Sequence, residues 1–219
     1  MNHILCIETS GTNCSVALVS ESGVIKELEE RSESYIHAER LHVLIEDLLQ
    51  HTDKKLEAIA VSKGPGSYTG LRIGVAAAKG LCFALDLPLI GIETPLHMAF
   101  GAIERNPGYD FYVPLLDARR MEVYSATYTS TMQEVSETKA LIIEEGCSFF
   151  PANALFFGDG AEKCEPLLEG TFLTDVFPTA ADMRSLAFER FKVQAFEDTA
   201  YFEPFYLKDF IAGKPKSAF

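Results

Sequence analysis

Apolar and polar residues come in short alternating bursts at the amino end of the chain. HILCIE (His3 to Glu8), CSVALVS (Cys14 to Ser20) and VIKELEE (Val24 to Glu30) are separated by a Thr-Ser-Gly-Thr-Asn turn and a Glu-Ser-Gly turn. That pattern predicts a three-stranded antiparallel meander. From Tyr35 to His51 the period changes, and Leu41, Leu44, Ile45, Leu48 and Leu49 recur at helical spacing. EAIAVS (Glu57 to Ser62) then reads as a short buried strand, followed by a second helix from about Gly70 to Leu85 and the strand LIGI (Leu89 to Ile92). Thr94-Pro95 offers an N-cap and a first-turn proline for a third helix ending near Arg105. The predicted order is βββαβαβα.

After Asn106-Pro107-Gly108 a similar order begins again, with FYVPLLDA, MEVYSATYT, KALIIEE and ALFFGDG as strands and a capped helix after Thr179-Ala180-Ala181-Asp182. In each half a strand ends in a single acid, Glu8 or Asp117, turns, and returns as an alternating strand. Two βββαβα units in one chain are what an actin-like, ribonuclease H-type duplicated α/β fold requires. The expected division is an N-terminal lobe over residues 1–105, a C-terminal lobe over 106–203 and a tail, 204–219, returning to the first lobe. A single irregular α/β domain is the competing architecture.

Composition sets limits on function. The 219 residues are 47 % hydrophobic and 23 % charged, which is ordinary globular material. Nineteen basic residues against 32 acidic ones give a net charge of −13, so the chain as a whole repels phosphate backbones, and autonomous nucleic-acid binding is not expected. Only residues 61–120, with 5 acids and 6 bases, are near neutral. The five cysteines form no CxxC pair, which points away from a disulfide framework or zinc knuckle and toward a reducing compartment. No leader pattern opens the chain and no apolar run reaches the ~18 residues of a membrane span, so a soluble cytoplasmic protein with no membrane contact is expected.

The most distinctive run is Gly64-Pro65-Gly66-Ser67-Tyr68-Thr69-Gly70-Leu71-Arg72-Ile73-Gly74, between a buried strand and a helix. A glycine loop feeding a helix N-terminus can hold an anion. The plainer reading is a tight turn at Pro65-Gly66 with Ser67 or Thr69 capping the helix. No P-loop lysine follows Gly70, and Thr69 stands where a Rossmann loop needs its third glycine. The helix that follows is apolar almost all round, and Gly74, Ala77 and Ala78 would let another helix approach closely. Either a partner packs there, against Leu81 and against Leu41, Leu44, Ile45 and Leu48 of the preceding helix, or the helices simply sandwich a sheet.

His37 and His42, five residues apart, differ by ~140° in direction on a helix and cannot chelate one ion as an i, i+4 pair would. No cluster at metal spacing and no GxSxG elbow is present, so neither a metal site nor a nucleophilic centre is expected. A nucleotide site would need the two acidic hairpins. In an actin-like phosphotransferase each is of the type Asp-x-Gly-Ser/Thr, the acid orienting metal-bound water and the glycine admitting phosphate. Here they read Glu8-Thr9-Ser10-Gly11-Thr12 and Asp117-Ala118-Arg119-Arg120, the second without glycine. Glu8, Ser10, Asp117 and Arg119 are at best the remains of such a site.

ILCIETSGTNCSVAL, AERLHVLIEDLL, VSKGPGSYTGLRIGVAAAKGL, IGIETPLHMAF, PLLDARRMEVYSATY, FFGDGA and EPFYLKD together resemble the bacterial TsaB (YeaZ) family over nearly the whole chain, the central GPGSYTGLRIG most specifically. The resemblance implies an actin-like fold and a non-catalytic partner role in making threonylcarbamoyladenosine beside the anticodon of tRNA. The catalytic subunit would be TsaD, which holds a metal through an HxxxH helix. The ATPase TsaE would complete the machinery, and tRNA would be met only indirectly. It further implies pairing with TsaD, or with a second copy when alone, through the two over-apolar helices. Where TsaD carries HxxxH, this chain reads His37-Ala-Glu-Arg-Leu-His42, one residue too long, so no metal, catalytic residue or cofactor of its own is expected. The reading of a different class is an enzyme, either an actin-like phosphotransferase or a glycoprotease-like peptidase.

Overall fold

In the computed structural model, which describes residues 2–32, 36–50 and 54–208, the chain forms two five-stranded sheets with helices between and outside them. Tyr35 and His51, at the ends of the expected first helix, and residues 209–219 of the expected tail lie outside the described residues.

The meander is β1 (His3–Glu8), β2 (Asn13–Ser20) and β3 (Gly23–Arg31), paired antiparallel; β4 (Ala58–Gly64) joins β1 in parallel and β5 (Leu89–Glu93) joins β4 in parallel. β1 and β2 are buried at every residue. Covered on both faces, they carry continuous apolar stretches, Ile4–Ile7 and Val16–Val19, with the buried polar residues His3, Glu8, Asn13, Ser15 and Ser20 nearer their ends. On one face, Leu41, Leu44, Ile45 and Leu48 of α1 (His37–Leu49) and Val75, Ala77, Ala78 and Cys82 of α2 (Tyr68–Leu85) pack against Leu5, Ile7, Val16, Ile59 and Val61. Each large aliphatic side chain buried there contributes about 1.5–3 kcal/mol of transfer free energy.

The second sheet comprises β6 (Phe111–Asp117), β7 (Glu122–Thr129), β8 (Glu134–Ile142), β9 (Ala154–Phe157) and β10 (Thr171–Leu173), in the order β10-β9-β6-β7-β8. Read from the other edge, this repeats β3-β2-β1-β4-β5 of the first sheet, with the same parallel and antiparallel neighbours. The architecture is the duplicated actin-like, ribonuclease H-type α/β fold.

The two units differ where the second has been pared down. Between β8 and β9, where the first unit has α1, the run containing Gly146 and Pro151 forms no helix, and α4 (Ala161–Cys164) is a single turn. β8 starts five residues earlier than KALIIEE implies, because pairing with β7 extends through a largely exposed, polar stretch. Two expected caps are absent. The N-cap position of α3 (Thr94–Arg105) is Glu93 and carries no side-chain cap, while Thr94 is buried inside the first turn. Asp182 does not cap α5 (Arg184–Lys192); it receives both Nη atoms of Arg105, at 2.6 and 2.9 Å.

Packing crosses between the units. Met98, Ala99 and Ala102 of α3 pack on Tyr112, Leu116, Tyr128 and Phe157 of the second sheet. Ala180, Met183, Leu186, Ala187 and Phe188, in and around α5, pack on Ile4, Cys6, Ala17, Ile90 and Ile92 of the first. The chain is back on the first sheet well before residue 204: Glu197 bridges Leu89, Phe202 enters the first core, and the Phe205 amide donates to the Lys63 carbonyl at 2.6 Å.

Candidate functional site

The glycine-rich run is built to press a helix onto a hairpin. Gly66, just ahead of the Ser67 cap, and Gly70 and Gly74 in the first turns of α2 recur every four residues and lie against the same turn. A Cβ on Gly66 would collide with the Ser10 carbonyl, one on Gly70 with the Thr9 carbonyl, and one on Gly74 with Thr9 Oγ1. The backbone of α2 therefore lies directly on the turn leaving β1. The Ser67 amide donates to the Ser10 carbonyl at 2.6 Å, and His37 Nε2 of α1 is 2.9 Å from the Gly11 carbonyl. Ser67, not Thr69, is the capping residue: its hydroxyl accepts from Gly70 N at 3.2 Å. Upstream, Gly64 has φ +107° with the Phe205 carbonyl close against it, and Pro65 is buried. On the outer side, the Arg72 guanidinium lies 4.4 Å over the Tyr68 ring and donates to Tyr206 Oη at 3.1 Å.

Glu8 is turned inward. Its side chain and that of His97 are both fully buried, and His97 Nε2 lies 2.8 Å from Glu8 Oε2. Glu8 Oε1 accepts from the Ser10 amide at 2.5 Å. Burial pushes the Glu8 carboxyl up, but the hydrogen bond and charge of His97, with the help of Ser10, outweigh it and hold the group below its ordinary value. Ser10 is itself only 2 % exposed.

The second hairpin is filled from within its own lobe. Arg119 and Arg120 both take left-handed conformations at the turn, and the Arg119 amide donates to Asp117 Oδ1 at 3.0 Å. Lys163 Nζ, from the short α4, is ion-paired to Asp117 and donates to the Arg120 and Glu122 carbonyls at 2.8 and 2.7 Å. Asp159 accepts from the Asp117 amide at 2.8 Å, and its carboxyl is pushed up mainly by burial. This half-buried acid faces the first hairpin: a Cβ on Gly11 would lie 3.8 Å from Asp159 Oδ2 and 3.3 Å from Pro178 Cγ. The four residues read from the sequence as the remains of a nucleotide site are not gathered in one cleft. Glu8 and Ser10 are sealed inside, Asp117 is taken by Lys163, and Arg119 is exposed at the turn.

The expected interface residues sit mostly inside this chain. Leu41, Leu44, Ile45, Leu48, Gly74, Ala77 and Ala78 are buried within the first unit's own core, and Leu81 is half-buried against it. What α2 turns outward is Arg72, Ala76, Gly80, Phe83 and Ala84, with Phe83 89 % exposed and open space where a Gly80 Cβ would stand. Val43 adds an exposed apolar position on α1. The two helical histidines occupy different environments, His37 fully buried and His42 exposed. Among the described residues no three His, Cys, Asp or Glu side chains gather as a metal would require, and no helix is long and apolar enough to cross a membrane.

His97, Asp159 and Lys163 were not legible as site residues. Each acts on a partner 42 to 89 residues away, and no local pattern marks such a pairing. The four-residue spacing of Gly66, Gly70 and Gly74 was a usable signal for close backbone approach.

A family model described as TsaD: tRNA N6-adenosine threonylcarbamoyltransferase matches residues 23–202. The chain is 32 % identical over 226 residues to the tRNA threonylcarbamoyladenosine biosynthesis protein TsaB of Escherichia coli (strain K12), covering 96 % of each. It is 31 % identical over 232 residues to the protein of the same name from Haemophilus influenzae, covering 96 % of this chain and 95 % of that one. Among solved structures, YeaZ from Pseudomonas aeruginosa superposes with a TM-score of 0.81 at 28 % identity, over 94 % of this chain and all of that one.

Proposed function

The chain belongs to the TsaB family of tRNA threonylcarbamoyladenosine biosynthesis proteins, and from that premise we propose that it serves threonylcarbamoyladenosine synthesis as a non-catalytic subunit that pairs with a TsaD-type chain. The observation that carries this reading is the state of the two hairpins. An actin-like phosphotransferase needs a carboxylate exposed to the cleft to orient metal-bound water and room for phosphate beside the turn amides. Here Glu8 is held by His97 and Ser10, and Lys163 occupies the mouth of the other hairpin. The chemistry then belongs to the partner, and this chain supplies surface.

The outward face of α2, with Ala76, Gly80, Phe83 and Ala84, supports helix-to-helix contact, because small residues admit a close approach and an exposed phenylalanine supplies an anchor. In this proposal the same face joins two copies when the catalytic subunit is absent, TsaE is met only through the complex, and tRNA is held by the other subunits. The net charge of −13 supports that last assignment.

The test is co-purification of the full chain with TsaD, together with ATP hydrolysis and threonylcarbamoyladenosine formation by each protein alone and by the pair. The expected result is a stable complex and no turnover by this chain alone. Turnover at ~1 per second or above by the isolated chain, lost on Glu8→Gln, would overturn the proposal.

A further inference from the structure

From Glu197 onward the chain runs along the outside of the first unit and then leaves it. Glu197 bridges Leu89, Lys79 Nζ of α2 donates to the Ala200 and Phe202 carbonyls at 3.1 and 3.0 Å, and the Phe205 amide donates to the Lys63 carbonyl at 2.6 Å. Tyr206 then settles on the start of α2. Its ring centroid is 5.1 Å from that of Tyr68, and its hydroxyl accepts from Arg72 Nε at 3.1 Å. Glu203 adds an electrostatic pull on the same guanidinium. Two residues further on, Lys208 is ion-paired to Glu122 of β7, in the second unit. The segment therefore reaches from a helix of one lobe to a strand of the other.

Its attachments grow weaker toward that far end. Phe202 belongs to the first core, whereas every residue from Glu203 to Lys208 is at least partly exposed. The side chains of Lys208 and Glu122 are 41 % and 20 % exposed, and Arg72 is exposed. Solvated ion pairs and exposed cation–aromatic contacts are individually weak, so residues 203–208 can lift off without unfolding the helix or either sheet.

The near end lies on the outward face of α2. Arg72, Ala76, Lys79 and Phe83 follow one another at four, three and four residues and form a single helical stripe. Arg72 and Lys79 hold the segment, while Ala76 and Phe83 between and beyond them are exposed. A helix laid along this stripe must cover Arg72, and excluding water there strengthens its contacts with Tyr68 and Tyr206.

We propose that residues 203–208 form a releasable strap between the lobes, pinned at Arg72 and Glu122, which a chain docked on the α2 face holds closed. The proposal rests on the reading of that face as the docking surface for a TsaD-type chain. Docking on one lobe is thereby felt at β7 of the other, through a segment that crosses between them.

The test is amide hydrogen exchange on the full chain, free and with TsaD. Lys208→Glu and Glu122→Lys each set like charges against one another at exposed positions, and each should speed exchange at the Phe205 amide and through 203–208 about fivefold, with α2 and β4 unaffected. The double variant restores the pair with its signs reversed and should return to the parent rate. TsaD at ten times its dissociation constant should slow exchange in 203–208 of the parent about tenfold, and Phe83→Asp should abolish that slowing without altering exchange in the free chain. Unchanged exchange at Phe205 in the single variants, or no restoration in the double one, would overturn the strap. Exchange in 203–208 that ignores bound TsaD, when TsaD binding itself is lost in Phe83→Asp, overturns the coupling and leaves the docking face standing. TsaD binding that survives Phe83→Asp overturns the docking face and the coupling with it, while the charge swap still decides the strap.

Discussion

His97 Nε2 of α3 lies 2.8 Å from Glu8 Oε2 at the end of β1, with neither side chain reaching solvent. A buried carboxylate deprived of its partner is costly, so His97→Ala should destabilise the protein by about 3–5 kcal/mol. Glu8→Gln combined with His97→Ala should recover part of that loss, because the stranded charge is gone. Urea denaturation of the two single variants and the double variant measures the coupling.

Glu8 also fixes the sign of one pH dependence. Its folded carboxyl titrates below its ordinary value, so in acid the unfolded chain binds the proton first. The stability it contributes is complete above the unfolded value, about 4.3, and falls away as pH drops through the folded one. In Glu8→Gln the loss of stability on acidification should be shallower than in the parent chain, as read from denaturation midpoints between pH 3 and pH 7.

Glu27 on β3 acts in the opposite sense. Burial raises its carboxyl even though it accepts from the Ala181 amide and from Ser15 Oγ. The folded state therefore holds this proton more tightly, and the group's contribution is present at low pH and lost as pH climbs through the raised value. Glu27→Gln, with its amide oxygen still accepting from Ala181, should gain stability relative to the parent as pH rises from 4 to 7. The same midpoints measured on both proteins give the difference directly.

The glycine stripe of α2 separates close approach from mere flexibility. Gly70→Ala and Gly74→Ala each drive a methyl into Thr9 and should cost 1–3 kcal/mol, the usual range of overpacking, or more. Gly80→Ala on the same helix meets open space and should stabilise by about 0.5–1 kcal/mol through helix propensity. Thermal melts of the three variants should rank them in that order.

Ala78 and Phe83, five residues apart on α2, should divide folding from association. Ala78 is fully buried in the first core, so Ala78→Arg should unfold the protein, seen as loss of the circular dichroism signal. Phe83 is 89 % exposed, so Phe83→Asp should leave the signal intact and weaken pairing with TsaD at least tenfold in sedimentation. A folded Phe83→Asp that binds TsaD as well as the parent does would move the interface off this face.

The order of strands was readable as far as β9 because hydrophobic bursts and Gly-Asn-Ser turns are local signals, as in the meander from His3 to Glu30, whereas the three residues of β10 were too short to leave such a pattern. β8 was partly missed because an edge strand needs only a neighbour's backbone, and Glu134, Ser136 and Glu137 carry no apolar mark. Leu41, Leu44, Ile45, Leu48, Ala77 and Ala78 looked like an excess of apolar surface, yet two helices covering one sheet and each other bury these six and leave Val43 outside. Asp182 offered the pattern of a helix cap, whereas its partner Arg105 stands 77 residues away and a bidentate ion pair outweighs one capping bond. Glu8 was recognised as the acid of a hairpin, but its protective histidine lay on another element. Local pattern reports composition of an element; which side chain closes on which is decided by the assembled layers.

The reciprocal exchange of α3 and α5 makes each half of the molecule the lid of the other. A chain cut after residue 105 would leave the first sheet without the side chains at Ala180 to Phe188 and the second without Met98 to Ala102, so two apolar faces would open at once. Neither fragment should fold alone, and the two mixed together should restore one another. The duplication has thus become indivisible: what reads as two copies of one motif unfolds, and is inherited, as a single object.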